Sequence, residues 1–382
     1  MSASAVREIL KVTEQPEIIS FAGGLPAPEL FPVEALAEAH KEVFASEGRS
    51  ALQYSTSEGW KPLREWVARR SRSRGLRADA DNVLITSGSQ QGIDLVAKIF
   101  LEAGDSVVVE NPCYLAALQS FSGYEARLVG VESDDEGMRV EQVERALVES
   151  DPKLIYIVSE FSNPKGTSLS HERRARLVEL SRRYRVPIVE DDPYSELRYR
   201  GEPCAPIASL DGEGLVIYLS TFSKTLSPGM RVGWMVASKE LIQTLVIAKQ
   251  ATDLHTSTIQ QRAVAKLLET FDYDGHISEL NRVYGARCRA MLESLESRFP
   301  SGTRWTHPEG GLFLWVELPE VVRGEALLEA ALRRKVAFVP GAPFFASDPR
   351  HNFIRLNFSN QSPEMIEEGV KRLALTIEEQ AS

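Results

Sequence analysis

The sequence predicts an α/β fold: a large domain with a mostly parallel sheet flanked by helices, plus a small α+β domain built from the N- and C-terminal segments. Three observations carry this. Short β-branched runs recur at 82–86, 106–110, 154–158, 186–190 and 216–220, separated by amphipathic stretches, the alternation that buried parallel strands and crossover helices require. After about residue 275 the pattern changes to a long helical stretch through Phe299, strands near 311–317 and 353–357, and a closing helix from Pro363. The length, 382 residues, exceeds what one core usually fills.

Taken in order, residues 1–45 hold two short helices flanking Phe21-Ala-Gly-Gly-Leu-Pro26; they are too few to fold alone and are expected to join the small domain. Residues 46–275 are expected to form the large domain and 276–382 the small one. Within the large domain, helices are expected over 90–102, stopped by Gly104, over 139–149, ended before Pro152, and over 171–184, with Ser170 as cap.

Composition narrows the function classes. Apolar residues make up 43% and charged residues 26%, as in ordinary folded proteins. The net charge of −10 argues against nucleic acid, whose phosphates are held by surplus Lys and Arg. The arginines at 69–74 and 182–185 read as helix ends facing solvent. Three scattered cysteines, Cys113, Cys204 and Cys288, fit neither a disulfide framework nor a zinc site, so no metal and a reducing compartment are expected. No apolar run approaches the roughly 18 residues of a membrane span, and the start lacks a signal peptide's apolar stretch. The expected location is therefore cytoplasmic, and the sequons at Asn357 and Asn360 read as chance matches.

The chemistry concentrates in 220–234, where Lys224 follows an expected buried strand among hydroxyl residues and Arg231 opens the next strand. Strand ends are where α/β folds hold ligands. The hydroxyls of Thr221 and Ser223, with Arg231, suit a phosphate, while Lys224 reaches the same ligand. An isolated Ser-Lys pair would read as a surface lysine. The stretch Thr221-Phe-Ser-Lys224 also brushes the Ser-x-x-Lys nucleophile pattern, but it begins with Thr and has no Ser-Asp-Asn or Lys-Thr-Gly partner. Ser87-Gly-Ser-Gln90, between a strand and a helix, turns free backbone N–H groups and the helix dipole toward a place a phosphate would occupy. Arg355, mid-strand in an apolar run, needs an anionic partner, and its planar fork suits a carboxylate.

The segment around Lys224 resembles the cofactor-lysine motif of fold-type I pyridoxal-5'-phosphate (PLP) enzymes. Ser20-Phe-Ala-Gly-Gly-Leu-Pro26, Thr86-Ser-Gly-Ser-Gln-Gln-Gly92 and Glu190-Asp-Asp-Pro-Tyr194 are similar to motifs of the class I/II aminotransferases, in the group containing the 2-aminoadipate and kynurenine enzymes. The resemblance spans nearly the whole chain. It implies the aminotransferase fold, PLP linked to Lys224, and Lys224 as the base once the substrate displaces it. Gly88, Ser89 and Gln90 become the phosphate cup, joined by Thr221, Ser223 and Arg231. Asp191 would pair with the pyridine nitrogen; Glu190 and Asp192 are chemical rivals, and only the family spacing to Tyr194 favours Asp191. Tyr194 and Asn163 would donate to the phenolic oxygen, and Tyr114 would stack on the ring.

The resemblance also implies substrate contacts at Arg355 (the α-carboxylate), Asn163, Ser4, Arg7 and Gly24. Arg7 could meet an acidic substrate side chain, swing away for others, or face solvent. Tyr54 would reach the phosphate of a neighbouring subunit, implying a homodimer with shared active sites. The expected reaction passes an amino group from an L-amino acid, whether 2-aminoadipate, aromatic or branched-chain, to a 2-oxo acid such as 2-oxoglutarate. One departure stands out: Asn163-Pro-Lys165-Gly166 replaces the usual Asn-Pro-Thr-Gly, after an equally atypical Ser159-Glu-Phe-Ser162. Lys165 either adds a cation near the cofactor or points to solvent. Rival readings are another PLP reaction (lyase, cyclase or oxidase) in specialised biosynthesis, and a PLP-sensing regulator. The second is opposed by the acidic charge and by an aminotransferase pattern that begins within the first ten residues.

Overall fold

The computed structural model describes Gln15 and residues 17–381; Ser4 and Arg7 lie outside the described residues. An eight-stranded sheet runs in the order β2-β9-β8-β7-β6-β3-β4-β5, where β2 is Val83–Thr86, β3 Ser106–Asn111, β4 Arg127–Asp134, β5 Gly137–Met138, β6 Leu154–Ile157, β7 Ile188–Asp191, β8 Val216–Thr221 and β9 Gly233–Val236. The pairs β8-β7, β7-β6, β6-β3 and β3-β4 are parallel, while β9 runs against both its neighbours.

Side-chain alternation shows why these runs are apolar throughout. Val107, Val109, Tyr156, Val189 and Leu219 pack on one face with the helices Ser89–Phe100 and Leu115–Gly123. Val108, Ile155, Ile157 and Ile188 pack on the other with Val140–Ser150 and His171–Tyr184. Both faces are therefore dry, and truncating a residue such as Ile155 to Ala would cost about 2–5 kcal/mol.

A second, antiparallel sheet has the order β10-β11-β14-β13, comprising Arg304–Trp305, Phe313–Glu317, Phe353–Asn357 and Val339–Pro340 respectively. Leu314, Val316, Ile354 and Leu356 pack with the helices Tyr273–Arg298 and Pro363–Ala381. The alternate residues Phe313, Trp315 and Arg355 thus turn the other way, with Arg355 paired opposite Trp315. The N-terminal segment is tied in where β1 (Ile19–Ser20) pairs in parallel with β12 (Val336–Ala337).

One expectation is corrected here. The second of the two short N-terminal helices is a 19-residue helix, Val33–Ala51, that runs through residue 45 and packs against the helix Thr258–Thr270 of the large body. Its run of Ala, Glu, Lys and Leu contains only Gly48 as a weak breaker, which a helix tolerates.

Candidate active site

Because β2, β3, β6, β7 and β8 all point the same way, their C-terminal ends and following loops share one edge of the sheet. That edge and the inward face of β11-β14 enclose a cavity of about 310 Å³. It gathers residues remote in sequence: Gly24, Ser89, Gln90, Tyr114, Asn163 and Asp191 line it, as do Tyr194, Thr221, Ser223, Lys224, Arg231 and Arg355.

Lys224 follows β8, and its Nζ donates to the carbonyl of Gly24 at 2.7 Å. Burial, then the charges of Arg355 and Arg231, pull the amine down to about 8. Arg231 has a left-handed backbone, φ 52°, and its Nη2 donates to the Ser87 carbonyl at 3.1 Å. It lies directly over Gly88: a Cβ there would sit 2.5 Å from Nη2, and the φ of +85° independently favours glycine. Gly88 ends the loop before the helix Ser89–Phe100, whose first-turn N–H groups have no intrahelical acceptor. The Gln90 side-chain Nε2 donates to Ser120 Oγ and the Ala116 carbonyl. Thr221 Oγ1 and Ser223 Oγ are 2.9 Å apart.

Strand geometry separates the three consecutive acids. Glu190 accepts from Ser159 Oγ and from the N–H groups of Ile207 and Ala208. Asp192 accepts from Arg74, Tyr218 and Ser195. Asp191 lines the cavity: its Oδ2 accepts from the Tyr156 hydroxyl at 2.7 Å, while its buried Oδ1 has no partner among the described residues. Burial, against the Tyr156 hydrogen bond, pushes this carboxyl up to about 7.

Arg355 crosses from the small sheet. Its Nη1 donates to Asn163 Oδ1 at 2.8 Å and its Nη2 to the Ala22 carbonyl at 2.6 Å, while its Nε is buried without a partner among the described residues. The rings of Phe313 and Phe344 lie 4.4 and 5.1 Å from its Cζ. Desolvation lowers the guanidinium to about 10, the mark of a buried cation lacking a full counter-charge. Burial, then the charge of Asp191, raises the Tyr114 hydroxyl to about 12, and burial likewise raises Tyr194.

Three residues go elsewhere. Tyr54 is 79% exposed and outside its own cavity, edge-on to His255. Lys165 corrects both of its expectations: it reaches neither the cavity nor solvent, but is buried against Ser133 and Asp134. The atypical Glu160 is engaged by Arg174 and Arg198. The sequence reading missed Leu115, Gln119, Phe313 and Phe344, which also line the cavity. Leu115 and Gln119 share one face of a helix one turn apart, the only local signal they carried.

The aminotransferase class I and II family matches residues 17–373. The chain belongs to that family. An aromatic-amino-acid aminotransferase 1 of Thermococcus litoralis is 47% identical over all of this chain and 93% of its own length. A 2-aminoadipate transaminase of Thermus thermophilus is 43% identical over 98% of this chain and 93% of its own. The solved kynurenine aminotransferase of Pyrococcus horikoshii, in complex with PMP, kynurenine and its product, superposes with a TM-score of 0.96 at 45% identity, covering 100% of this chain and 96% of that one. This aminotransferase therefore uses pyridoxal phosphate to exchange an amino group between an amino acid and a 2-oxo acid. Among the described residues no helix is long and apolar enough to cross a membrane.

Proposed function

We propose that Lys224 carries the cofactor and that the enzyme passes the amino group of an aromatic or aliphatic L-amino acid to 2-oxoglutarate. The observation that carries the cofactor assignment is Asp191, which lines the cavity and whose buried Oδ1 lacks a donor among the described residues, an arrangement that fits a protonated pyridine nitrogen. Arg231, the Ser89 and Gln90 N–H groups, and the Thr221 and Ser223 hydroxyls suit the phosphate. Asn163 and Tyr194 suit the phenolic oxygen, and Tyr114 suits the ring face. Bound there, PLP supplies an electron sink for the charge left when the substrate Cα loses its proton.

The chain's own residues divide the remaining work. Arg355, walled by Phe313 and Phe344 and with Nε unpartnered among the described residues, receives the α-carboxylate, and its desolvated surroundings strengthen that pairing. Lys224, whose amine burial and the charges of Arg355 and Arg231 pull down to about 8 in the cofactor-free fold, takes the Cα proton and returns it once the substrate has displaced it from the cofactor.

The wall formed by Leu115, Phe313 and Phe344 favours an apolar donor side chain. Once Arg231 and Arg355 are engaged, Lys224 is the only further cation lining the cavity among the described residues. The relative named for aromatic amino acids supports the same donor class. Arg7, with Ser4, is the candidate for the distal carboxylate of 2-oxoglutarate. Exposed Tyr54, two residues after exposed Leu52 and edge-on to His255, which follows exposed Leu254, supports a homodimer in which Tyr54 serves the partner's site.

A half-reaction screen tests this reading. Single amino acids are mixed with the PLP-loaded enzyme while the cofactor absorbance is followed. Aromatic donors are expected to react fastest, with sustained turnover only when 2-oxoglutarate is present. Reaction confined to acidic donors would overturn the donor class, and turnover without an acceptor would favour a lyase.

A further inference from the structure

The loop 162–167, where this chain departs from the usual Asn-Pro-Thr-Gly, is gripped from two sides. On one side Lys165, only 7% exposed, places Nζ 3.0 Å from the Ser133 carbonyl, 3.1 Å from Ser133 Oγ and 2.9 Å from the Asp134 carbonyl, all on β4. Three acceptors use all three ammonium hydrogens. Behind them Glu110, 4% exposed and on β3, is pushed up to about 7 by burial and drawn back by Lys165 and a hydrogen bond from Ser133. On the other side, the Lys165 carbonyl accepts from Thr306 Oγ1 at 2.7 Å, and that oxygen accepts from the Trp315 N–H at 3.1 Å. Gly166, at φ +72°, lies against β11 so closely that a Cβ would meet the Phe313 carbonyl oxygen at 2.5 Å. The loop is thus a strap between an outer strand of the large sheet and the strand that carries Phe313. Two residues before Lys165, Asn163 Oδ1 accepts from Arg355 Nη1, and Arg355 stands opposite Trp315.

We propose that Lys165 is a positioning residue for substrate recognition: its ammonium anchors the strap to β4, fixes Asn163, and through it holds the Arg355 guanidinium ready for the substrate carboxylate. A threonine hydroxyl, attached at Cβ, falls short of the Ser133 and Asp134 carbonyls, so the usual residue cannot make this anchor. The proposal rests on the reading of Arg355 given above. A purely structural role, neutralising buried Glu110, would leave carboxylate binding untouched.

The test compares wild type, Lys165→Met, and Lys165→Met combined with Glu110→Gln, which removes both charges so that no carboxylate is left unpaired. The probe is 3-phenylpropionate, a carboxylate without an amino group, titrated into PLP-loaded protein and read by cofactor absorbance. In the double variant its Kd is expected to rise about tenfold, the cost of one weakened charge-assisted bond. KM for the donor should rise in parallel, with kcat within about threefold. PLP binding to the cofactor-free protein, read by fluorescence, should stay within about threefold, because the phosphate and ring-nitrogen contacts are untouched and only the Asn163 contact to the phenolic oxygen is loosened. A lowered melting temperature with wild-type Kd overturns the proposal and leaves Lys165 a charge-balancing role only. Arg355→Met is the control: a raised Kd there beside a wild-type Kd in the double variant sinks the Lys165 proposal alone, whereas no change in either sinks the Arg355 reading beneath it. Should both Lys165 variants fail to fold, Ser133→Ala removes one anchor, and its Kd is expected to rise about threefold; an unchanged Kd overturns the proposal.

Discussion

Asp191 and Asp192 are neighbours, both buried, yet they end in opposite electrostatic states. Asp192 accepts from Arg74 Nη2, Tyr218 and Ser195 Oγ at 2.8 Å each, and from the Ser195 N–H at 3.0 Å. Although burial raises it, these donors, Arg74 foremost, hold it below the usual carboxylate range. Asp191 has one donor among the described residues, Tyr156, and burial carries it up to about 7. Desolvation is common to both; the number of donors differs. A carboxylate fully supplied by the fold belongs to the framework, and one left short is reserved for a ligand that brings its own proton donor.

Asp191→Asn is the largest test of that contrast. An amide cannot supply the negative charge that keeps the pyridine nitrogen protonated, so kcat/KM should fall roughly a thousandfold while the variant folds normally. Turnover near wild type would show that Asp191 is not the ring-nitrogen partner.

Asp192→Asn should do the reverse. It leaves Arg74 without its counter-charge and turns one of the two acceptor oxygens into an amide donor, and urea unfolding at pH 7 should show a loss of about 3 kcal/mol, with turnover per folded molecule within about threefold of wild type. Because its folded pKa is depressed, Asp192 contributes stability above its unfolded value near 4, and that contribution fades as pH falls.

The third test is the pH dependence of the cofactor-free protein. Asp191 keeps its proton in the fold up to about pH 7 but loses it near 4 in the unfolded chain. Between these values the native state binds more protons, so stability declines as pH rises through the window and levels off above it. Glu110, also raised to about 7, acts in the same direction; the difference between wild type and Asp191→Asn isolates the Asp191 share. The cofactor-free Asn variant is therefore expected to gain stability relative to wild type from pH 4 to 7. A pH-independent difference would mean that Asp191 is already ionised in the empty fold.

The same contrast shows what the sequence could convey. Lys224 and Arg231, seven residues apart, were legible because a buried apolar run marks the strand they follow, and Arg355 because a charge stands mid-strand in an apolar run; Asn163 was legible only through the family resemblance. Alternation along β7 separates Asp191 from Glu190, but whether Asp191 or Asp192 lacks donors depends on Arg74 and Tyr218, which reach it from distant elements. Phe344 and Gln119 were missed because an aromatic ending a single 3-10 turn and an amide on a helix carry no local mark of facing a cavity. Lys165 was misjudged because a lysine's stem can bury its charge wherever carbonyls converge, and neither Ser133 nor Asp134 signals that from its own position.

The smallest effect should come from Tyr156→Phe, which removes Asp191's one donor within the fold while keeping the ring packed against Phe121. The lost hydrogen bond favoured the ionised carboxylate, so the pH window over which the cofactor-free protein loses stability should move upward. With PLP bound, the pyridinium supplies charge and a proton donor of its own, so kcat/KM should fall only about threefold. An upward shift of the window beside a small kinetic change is the pattern expected if Tyr156 only tempers a carboxylate whose working partner is the cofactor. A kinetic loss as large as that of Asp191→Asn would instead make Tyr156 and Asp191 one functional unit, and the distinction between supplied and unsupplied carboxylates would need both residues to define it.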